Sequence, residues 1–115
     1  ERDNKNYDIF VGGWFSDYND PLDFLNVMKT GVYDSYGLYS NSEYDSLIDS
    51  LTGENDNAKR LEIYQKLEDL LVAQDCGVAP LYYSDKHYYY QNWVKDFYTS
   101  SFGASQELYR ASVQK

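Results

Sequence analysis

Apolar and polar positions along the chain alternate in blocks that read as one strand, three helices and then further strands. Tyr7-Asp8-Ile9-Phe10-Val11 is a short β-branched and aromatic run with the composition of a strand. Asp20-Pro21 has the form of a helix start, with Asp as N-cap and Pro at the first helical position. A short helix is expected over residues 21–28, with Phe24, Leu25 and Met28 turned inward. Residues 30–39 hold two glycines and three tyrosines without a clear period and read as a surface loop. The following Ser40-Asn41-Ser42-Glu43 reads as a capping box, with Ser42-x-x-Asp45 one step along as the alternative. Tyr44, Leu47, Ile48 and Leu51 then recur at i, i+3, i+4 and i+7, the apolar stripe of a helix that Gly53 ends.

Asp56 or Asn57 caps a longer helix running to about Asp75, with Gly77 closing it. Ala58, Leu61, Tyr64, Leu67 or Glu68, and Leu71 mark one face, widened by Leu70; the acidic side reads as a solvated face. Val78-Ala79-Pro80-Leu81-Tyr82-Tyr83 reads as a strand, with Pro80 placing it at an edge or at a strand start. Ser84-Asp85-Lys86 turns the chain into His87-Tyr88-Tyr89-Tyr90, a hairpin pattern. Residues 93–98 and 108–109 read as short extended pieces. Residues 1–6 are polar and read as a frayed start. There are no repeats and no low-complexity linkers, so residues 1–115 read as a single domain. The order points to an α+β fold, helices packed on a mixed β-sheet.

Length and charge narrow the function. A chain of 115 residues buries about two-thirds of its unfolded surface, enough for a core. The net charge of −9 and the lack of Lys/Arg clusters exclude phosphate-backbone binding, so no nucleic-acid partner is expected. No apolar run reaches the ~20 residues of a membrane span. Cys76 is the one cysteine, reads as a small buried apolar residue, and permits no internal disulfide. Tyrosine, at fourteen residues, is heavily used; its ring and hydroxyl suit sites that are half dry and half wet. No metal cluster or cofactor motif is present, and Gly12-Gly13 lacks the Gly-x-x-x-x-Gly-Lys pattern of a phosphate loop. His87, alone among tyrosines, reads as a surface or satisfied histidine.

The strand-to-helix crossing Gly13-Trp14-Phe15-Ser16-Asp17-Tyr18-Asn19-Asp20-Pro21 is where a sheet can present backbone and one charge to a ligand. Its spacing, Gly-Trp-x-x-Asp-Tyr-x-Asp-Pro, resembles a motif of the extracytoplasmic oligopeptide- and dipeptide-binding proteins of ABC importers, solute-binding protein family 5. Three further stretches are similar to that family in the same order. They are Tyr39-Ser40-Asn41-Ser42-Glu43-Tyr44-Asp45-Ser46-Leu47-Ile48, Arg60-Leu61-Glu62-Ile63-Tyr64-Gln65-Lys66-Leu67-Glu68 and Ala79-Pro80-Leu81-Tyr82-Tyr83. Residues 7–98 fall within the resemblance, which implies the C-terminal fragment of a two-lobed periplasmic-binding-protein-like fold. Phe15 and Ser16 fill positions that vary in the family, and Ser84 falls where some peptide binders carry another aromatic.

The resemblance implies a receptor, not an enzyme: it captures extended peptides outside the membrane and delivers them to an ABC permease. By motif position, Gly13, Trp14 and Phe15 supply the backbone strand to which a peptide pairs, and Asp17 the carboxylate that meets its α-ammonium. Strand addition gives affinity independent of side chains, and a carboxylate–ammonium pair is a strong charge-assisted hydrogen bond. On the residues alone, Asp17 is also suited to a turn or cap, Asp20 is a helix cap, and Trp14 is either core or cleft wall. Tyr82 and Tyr83 alternate faces in a strand, one toward the core and Tyr83 a candidate for the cleft. The location implied is extracytoplasmic, in a periplasm or as a cell-surface lipoprotein whose lipid anchor lies outside this fragment. The alternatives are an oligosaccharide, nickel chelate or other small solute as ligand, or an acidic surface hydrolase using Asp17 and Asp20.

Overall fold

The computed structural model describes residues 6–32, 38–103 and 108–114. Residues 1–5 of the polar start and residues 33–37 of the expected surface loop lie outside this set. The chain divides into two compact units: Glu1–Trp14 with Asp20–Pro80, and Phe15–Asn19 with Leu81–Lys115.

Helices make the first unit. α1 (Leu22–Leu25) runs directly into a 3₁₀ turn, Asn26–Met28. The Asp20 carboxylate accepts the Leu22 N–H at 2.8 Å, and Pro21 already has helical φ, so the expected Asp-Pro start is what forms. The tightened turn carries Val27 and Met28 inward together with Leu25, while Phe24, expected inside, is half exposed and Asp23 is buried in its place.

α2 (Ser42–Ser50) is capped by Asn41, whose Oδ1 accepts the N–H groups of Glu43 and Tyr44 at 2.8 and 3.1 Å. The cap is therefore Asn41, between the two alternatives that the sequence offered. The stripe Tyr44, Leu47, Ile48 and Leu51 faces the core as its spacing requires, and Gly53 follows the helix with φ +82°, a left-handed conformation suited to glycine.

α3 (Asn57–Glu68), capped by Asp56, continues into a π-helical stretch, Asp69–Gln74. Tyr64, Leu67, Leu70 and Leu71 are buried as expected, and the face differs only at its start. Ala58 and Leu61 are exposed, and the inward line runs through Arg60, Ile63, Tyr64, Leu67, Leu70 and Leu71. A polar Arg60 occupies the inward position of the first turn, so reading apolar letters alone misplaced the face there, at Ala58 and Leu61. The helical run ends with the Gly77 N–H donating to the Leu71 carbonyl at 2.8 Å across a left-handed Cys76, φ 51°. Cys76 is exposed rather than buried.

The core joins α1, the 3₁₀ turn, α2 and α3 around Tyr44, Leu51 and Leu67, the most deeply buried side chains. The Tyr44 hydroxyl donates to the Leu25 carbonyl at 2.8 Å, so the largest core ring leaves no polar atom unmatched at its tip. Helix therefore packs on helix here, and the mixed sheet that the sequence suggested is not formed among the described residues.

In the second unit β1 (Val94–Lys95) pairs antiparallel with β2 (Ser112–Val113), Val94 opposite Val113 and Lys95 opposite Ser112. β1 lies inside the expected piece at 93–98, whereas β2 falls just beyond the one expected at 108–109. Residues 7–11 and 78–83 form no strand, and 87–90 form no hairpin with them. These runs have strand composition but join no sheet among the described residues, and a strand needs a paired neighbour to form. Helices with a small antiparallel sheet make an α+β chain.

Candidate functional site

Gly13 and Trp14 belong to the first unit, Phe15, Asp17 and Tyr83 to the second, so each group is described by itself. Gly13 is exposed, and a methyl group placed on its Cα would meet no atom within 4 Å. Trp14 settles between its two readings as a half-buried ring packed on the core. Its Nε1–H donates to Asp23 Oδ2 at 3.3 Å, so the indole is tied to α1 and fixes the backbone that leads into the loop.

In the second unit Phe15 is more than half exposed, with the Lys86 ammonium 4.2 Å from its ring centroid, within cation–π range. Asp17 is exposed. The Gly103 N–H donates to the Ser16 carbonyl at 3.0 Å, which ties the motif loop to the later part of the chain beside Asp17. Tyr82 and Tyr83 are both exposed, Tyr83 completely, so neither fills a core position in this chain.

The strongest electrostatic constellation was only half visible in the sequence. Asp20 receives the Arg60 guanidinium on Oδ2 at 2.7 Å, and the Tyr64 hydroxyl and Leu22 N–H on Oδ1 at 2.5 and 2.8 Å. Arg60 also donates to the carbonyls of Leu51 and Glu54, at 3.3 and 3.1 Å, and to the Tyr64 hydroxyl. Partial burial would raise the Asp20 carboxyl, but the bonds from Tyr64 and Leu22 and the Arg60 cation outweigh it and hold the group below the usual carboxylate range. Burial and the Asp20 carboxylate together push the Tyr64 hydroxyl up to about 12. Asp20 is thus more than a helix cap: it joins the start of α1 to α3. Its lone pairs are committed and it carries no proton at neutral pH, so it is unsuited to the general-acid part of a hydrolase pair. The signal available in the sequence was Arg60 and Tyr64 at i, i+4, but nothing in that spacing names Asp20 as their partner.

A second polar cluster closes the other end of the helical pair. Asp75 Oδ2 accepts the Tyr39 hydroxyl at 2.7 Å and Asn41 Nδ2 at 2.6 Å. Those two bonds lower the Asp75 carboxyl, while desolvation and the nearby Asp75 raise the Tyr39 hydroxyl. Among the described residues, no group of three or more His, Cys, Asp or Glu side chains is placed to hold a metal ion. Within the same set no helix is long and apolar enough to cross a membrane.

Comparison with known proteins yields consistent relatives. The chain is 31% identical over 93 residues to the periplasmic oligopeptide-binding protein OppA of Salmonella typhimurium, covering 81% of this chain and 17% of that protein. It is 33% identical over 95 residues to the oligopeptide-binding protein OppA of Bacillus subtilis, covering 81% and 16%. It is 26% identical over 96 residues to the periplasmic murein peptide-binding protein MppA of Escherichia coli, covering 84% and 18%. The chain therefore spans about one-sixth of the length of the curated relatives it matches. No family model matches it, and no solved structure does.

Proposed function

We propose that this chain, related over four-fifths of its length to the extracytoplasmic oligopeptide-binding proteins, is the C-terminal portion of the substrate-binding component of an ABC importer. The parent is a two-lobed receptor, held in a periplasm or at the cell surface by a lipid anchor, that captures extended peptides and passes them to a permease. It carries out no reaction. The 115 residues act as one contiguous piece of that receptor.

The observation that carries this reading is the agreement of two oligopeptide-binding relatives from different bacteria over the same share of the chain. The local chemistry supports it. Gly13, Phe15 and Asp17 are exposed, and Trp14 fixes the backbone between them through Asp23. In this role Gly13, Trp14 and Phe15 pair main chain to main chain with the peptide, Asp17 meets its α-ammonium, and Tyr83 lines the cleft.

Titrating the full-length parent calorimetrically with a mixed pool of tri- to pentapeptides tests the reading. Saturable binding with 1:1 stoichiometry is expected. Heat from an oligosaccharide or nickel chelate, with none from any peptide, would overturn it.

A further inference from the structure

Residues 15–19 run between two anchored positions. Trp14 is tied to α1 through its Nε1–H on Asp23 Oδ2, and Asp20 is tied to the same helix as its cap. The Asp23 N–H also donates to the Asp20 carbonyl at 3.1 Å, so both ends of the loop are fixed on one turn of helix. That helix has only four residues and cannot hold itself in shape; its order has to come from tertiary bonds. Capping accounts for one bond of the Asp20 carboxylate, from the Leu22 N–H. It does not account for the Arg60 guanidinium and the Tyr64 hydroxyl, which α3 brings to the same carboxylate. Nor is Arg60 a screened surface cation. Its side chain is 18% exposed and also holds the carbonyls of Leu51 and Glu54, where α2 ends. Arg60 therefore locks α1 onto α2 and α3 at the point where the motif loop ends.

We propose that Arg60 and Tyr64 are positioning residues for peptide binding: through Asp20 they hold the end of the loop 15–19, so that the Asp17 carboxylate meets an α-ammonium without first having to be ordered. The inference rests on the receptor reading, which supplies the ammonium. A charge-assisted hydrogen bond is short and directional, so a loop with one loose end loses part of the pair's energy to ordering when ligand arrives. A peptide with an acetylated N-terminus makes no such pair and loses less. Arg60 and Tyr64 thus set the preference for a free N-terminus without touching the ligand. A purely structural role has a different signature: it lowers stability and weakens both kinds of peptide alike.

The test is calorimetric titration of the full-length parent and its Arg60→Lys and Tyr64→Phe variants, well below each melting temperature. The probes are a tri- to pentapeptide pool and the same pool acetylated at its N-termini. Tyr64→Phe removes one hydroxyl and keeps the ring in the core, so it serves even where Arg60→Lys fails to fold. Ile48→Val, at a buried position of α2, supplies a loss of stability unconnected with the loop. In the Arg60 and Tyr64 variants the ratio of free to acetylated affinity is expected to fall about fivefold or more, and in Ile48→Val to stay at the parent's value. A parent that discriminates while its folded Arg60 and Tyr64 variants keep the same ratio overturns the proposal and leaves the receptor reading standing. So does an equal fall in Ile48→Val, which makes the effect one of general stability. A parent that binds both pools equally has no ammonium contact to present, which overturns the inference while peptide capture stands. A parent that binds neither pool overturns the receptor reading, and this inference with it.

Discussion

Asn41 and Asp75, 34 positions apart, are joined through a single side-chain amide: Asn41 Oδ1 caps α2 while its Nδ2 donates to Asp75 Oδ2 at 2.6 Å. One residue therefore satisfies the orphan N–H groups at the start of α2 and ties that helix to the end of the run that α3 begins. The two helices are set against each other by Leu51 and Leu67 in the core and by this amide at the rim.

The bifunctional amide predicts an unusual substitution pattern. Asn41→Asp should preserve the cap, since Asp and Asn cap about equally well, yet place a second carboxylate against Asp75. It should be destabilising at pH 7 in chemical denaturation and recover as pH falls toward 4. Asn41→Ala removes the cap and should cost ~1 kcal/mol with no such recovery. An Asn41→Asp chain as stable as the parent sequence at pH 7 would show that the Asp75 contact is not made.

The Asp20–Arg60–Tyr64 cluster predicts an acid dependence. The Asp20 carboxyl is depressed in the folded chain, so its stabilising contribution is fully present above the unfolded value of about 3.9. It is lost as pH falls through the lower folded value. Asp20→Asn should therefore flatten the acid side of the stability profile below about pH 4, measured by denaturant midpoint. Arg60→Lys should destabilise despite keeping the charge, because one ammonium cannot reach Asp20, the Tyr64 hydroxyl and the carbonyls of Leu51 and Glu54 together. An unchanged slope in Asp20→Asn would place the acid sensitivity elsewhere.

The closing turn after the π-helical stretch separates two glycine-related effects. Cys76 holds φ 51° with a side chain, a conformation that glycine adopts without strain, so Cys76→Gly should stabilise by about 1 kcal/mol. Gly77 has no positive φ; what it needs is room. A Cβ there would lie 2.6 and 3.0 Å from the Tyr39 ring and 3.1 Å from Leu71 Cδ1. The Tyr39 ring cannot swing away without losing its bond to Asp75. Gly77→Ala should thus destabilise by roughly 1–3 kcal/mol, the range for overpacking. Opposite signs from two adjacent positions, read by thermal melting, are the expected outcome.

Helices were legible in the sequence because their determinants are local. Asn41, Asp56, Gly53 and the Tyr44–Ile48–Leu51 spacing act within one or two turns, and the caps lie within one residue of their expected places. The strands were not, because a strand is completed by a partner. The runs at 7–11 and 78–83 have the right composition but join no sheet among the described residues, while β1 and β2 pair through residues 19 and 17 positions apart. In the site, Asp20 was legible as a cap, but its bonds to Arg60 and Tyr64 span 40 and 44 positions. Trp14 could be read either way from its type alone, and only the bond to Asp23 decides that the ring packs inward.

Separated from the remainder of its parent, the chain should bind peptides poorly. Main-chain pairing from one side only is weak, and desolvation is incomplete without an opposing wall. Calorimetry of the 115-residue chain with the tri- to pentapeptide pool should find nothing tighter than roughly 100 μM, about −5.5 kcal/mol. Submicromolar binding would mean that the site is complete within these residues and that a second lobe is unnecessary.

Asp17 gives the most discriminating test of the site. If its carboxylate receives the α-ammonium, Asp17→Asn in the full-length parent removes the ion pair while keeping shape and hydrogen-bonding capacity. The loss should be ~2–5 kcal/mol, the range for truncating one member of a buried, hydrogen-bonded charge pair, or about thirtyfold and more in affinity. Acetylating the peptide's N-terminus should weaken binding to the unmodified receptor by a comparable factor. The two losses should not add, because both delete the same pair. A turn-forming Asp17 predicts the reverse: reduced thermal stability in the variant with its preference for free N-termini intact. The measurement is a double cycle, parent and Asp17→Asn each titrated with free and acetylated peptide. Fully additive losses, or an acetylated peptide that binds the parent normally, would remove Asp17 from the site.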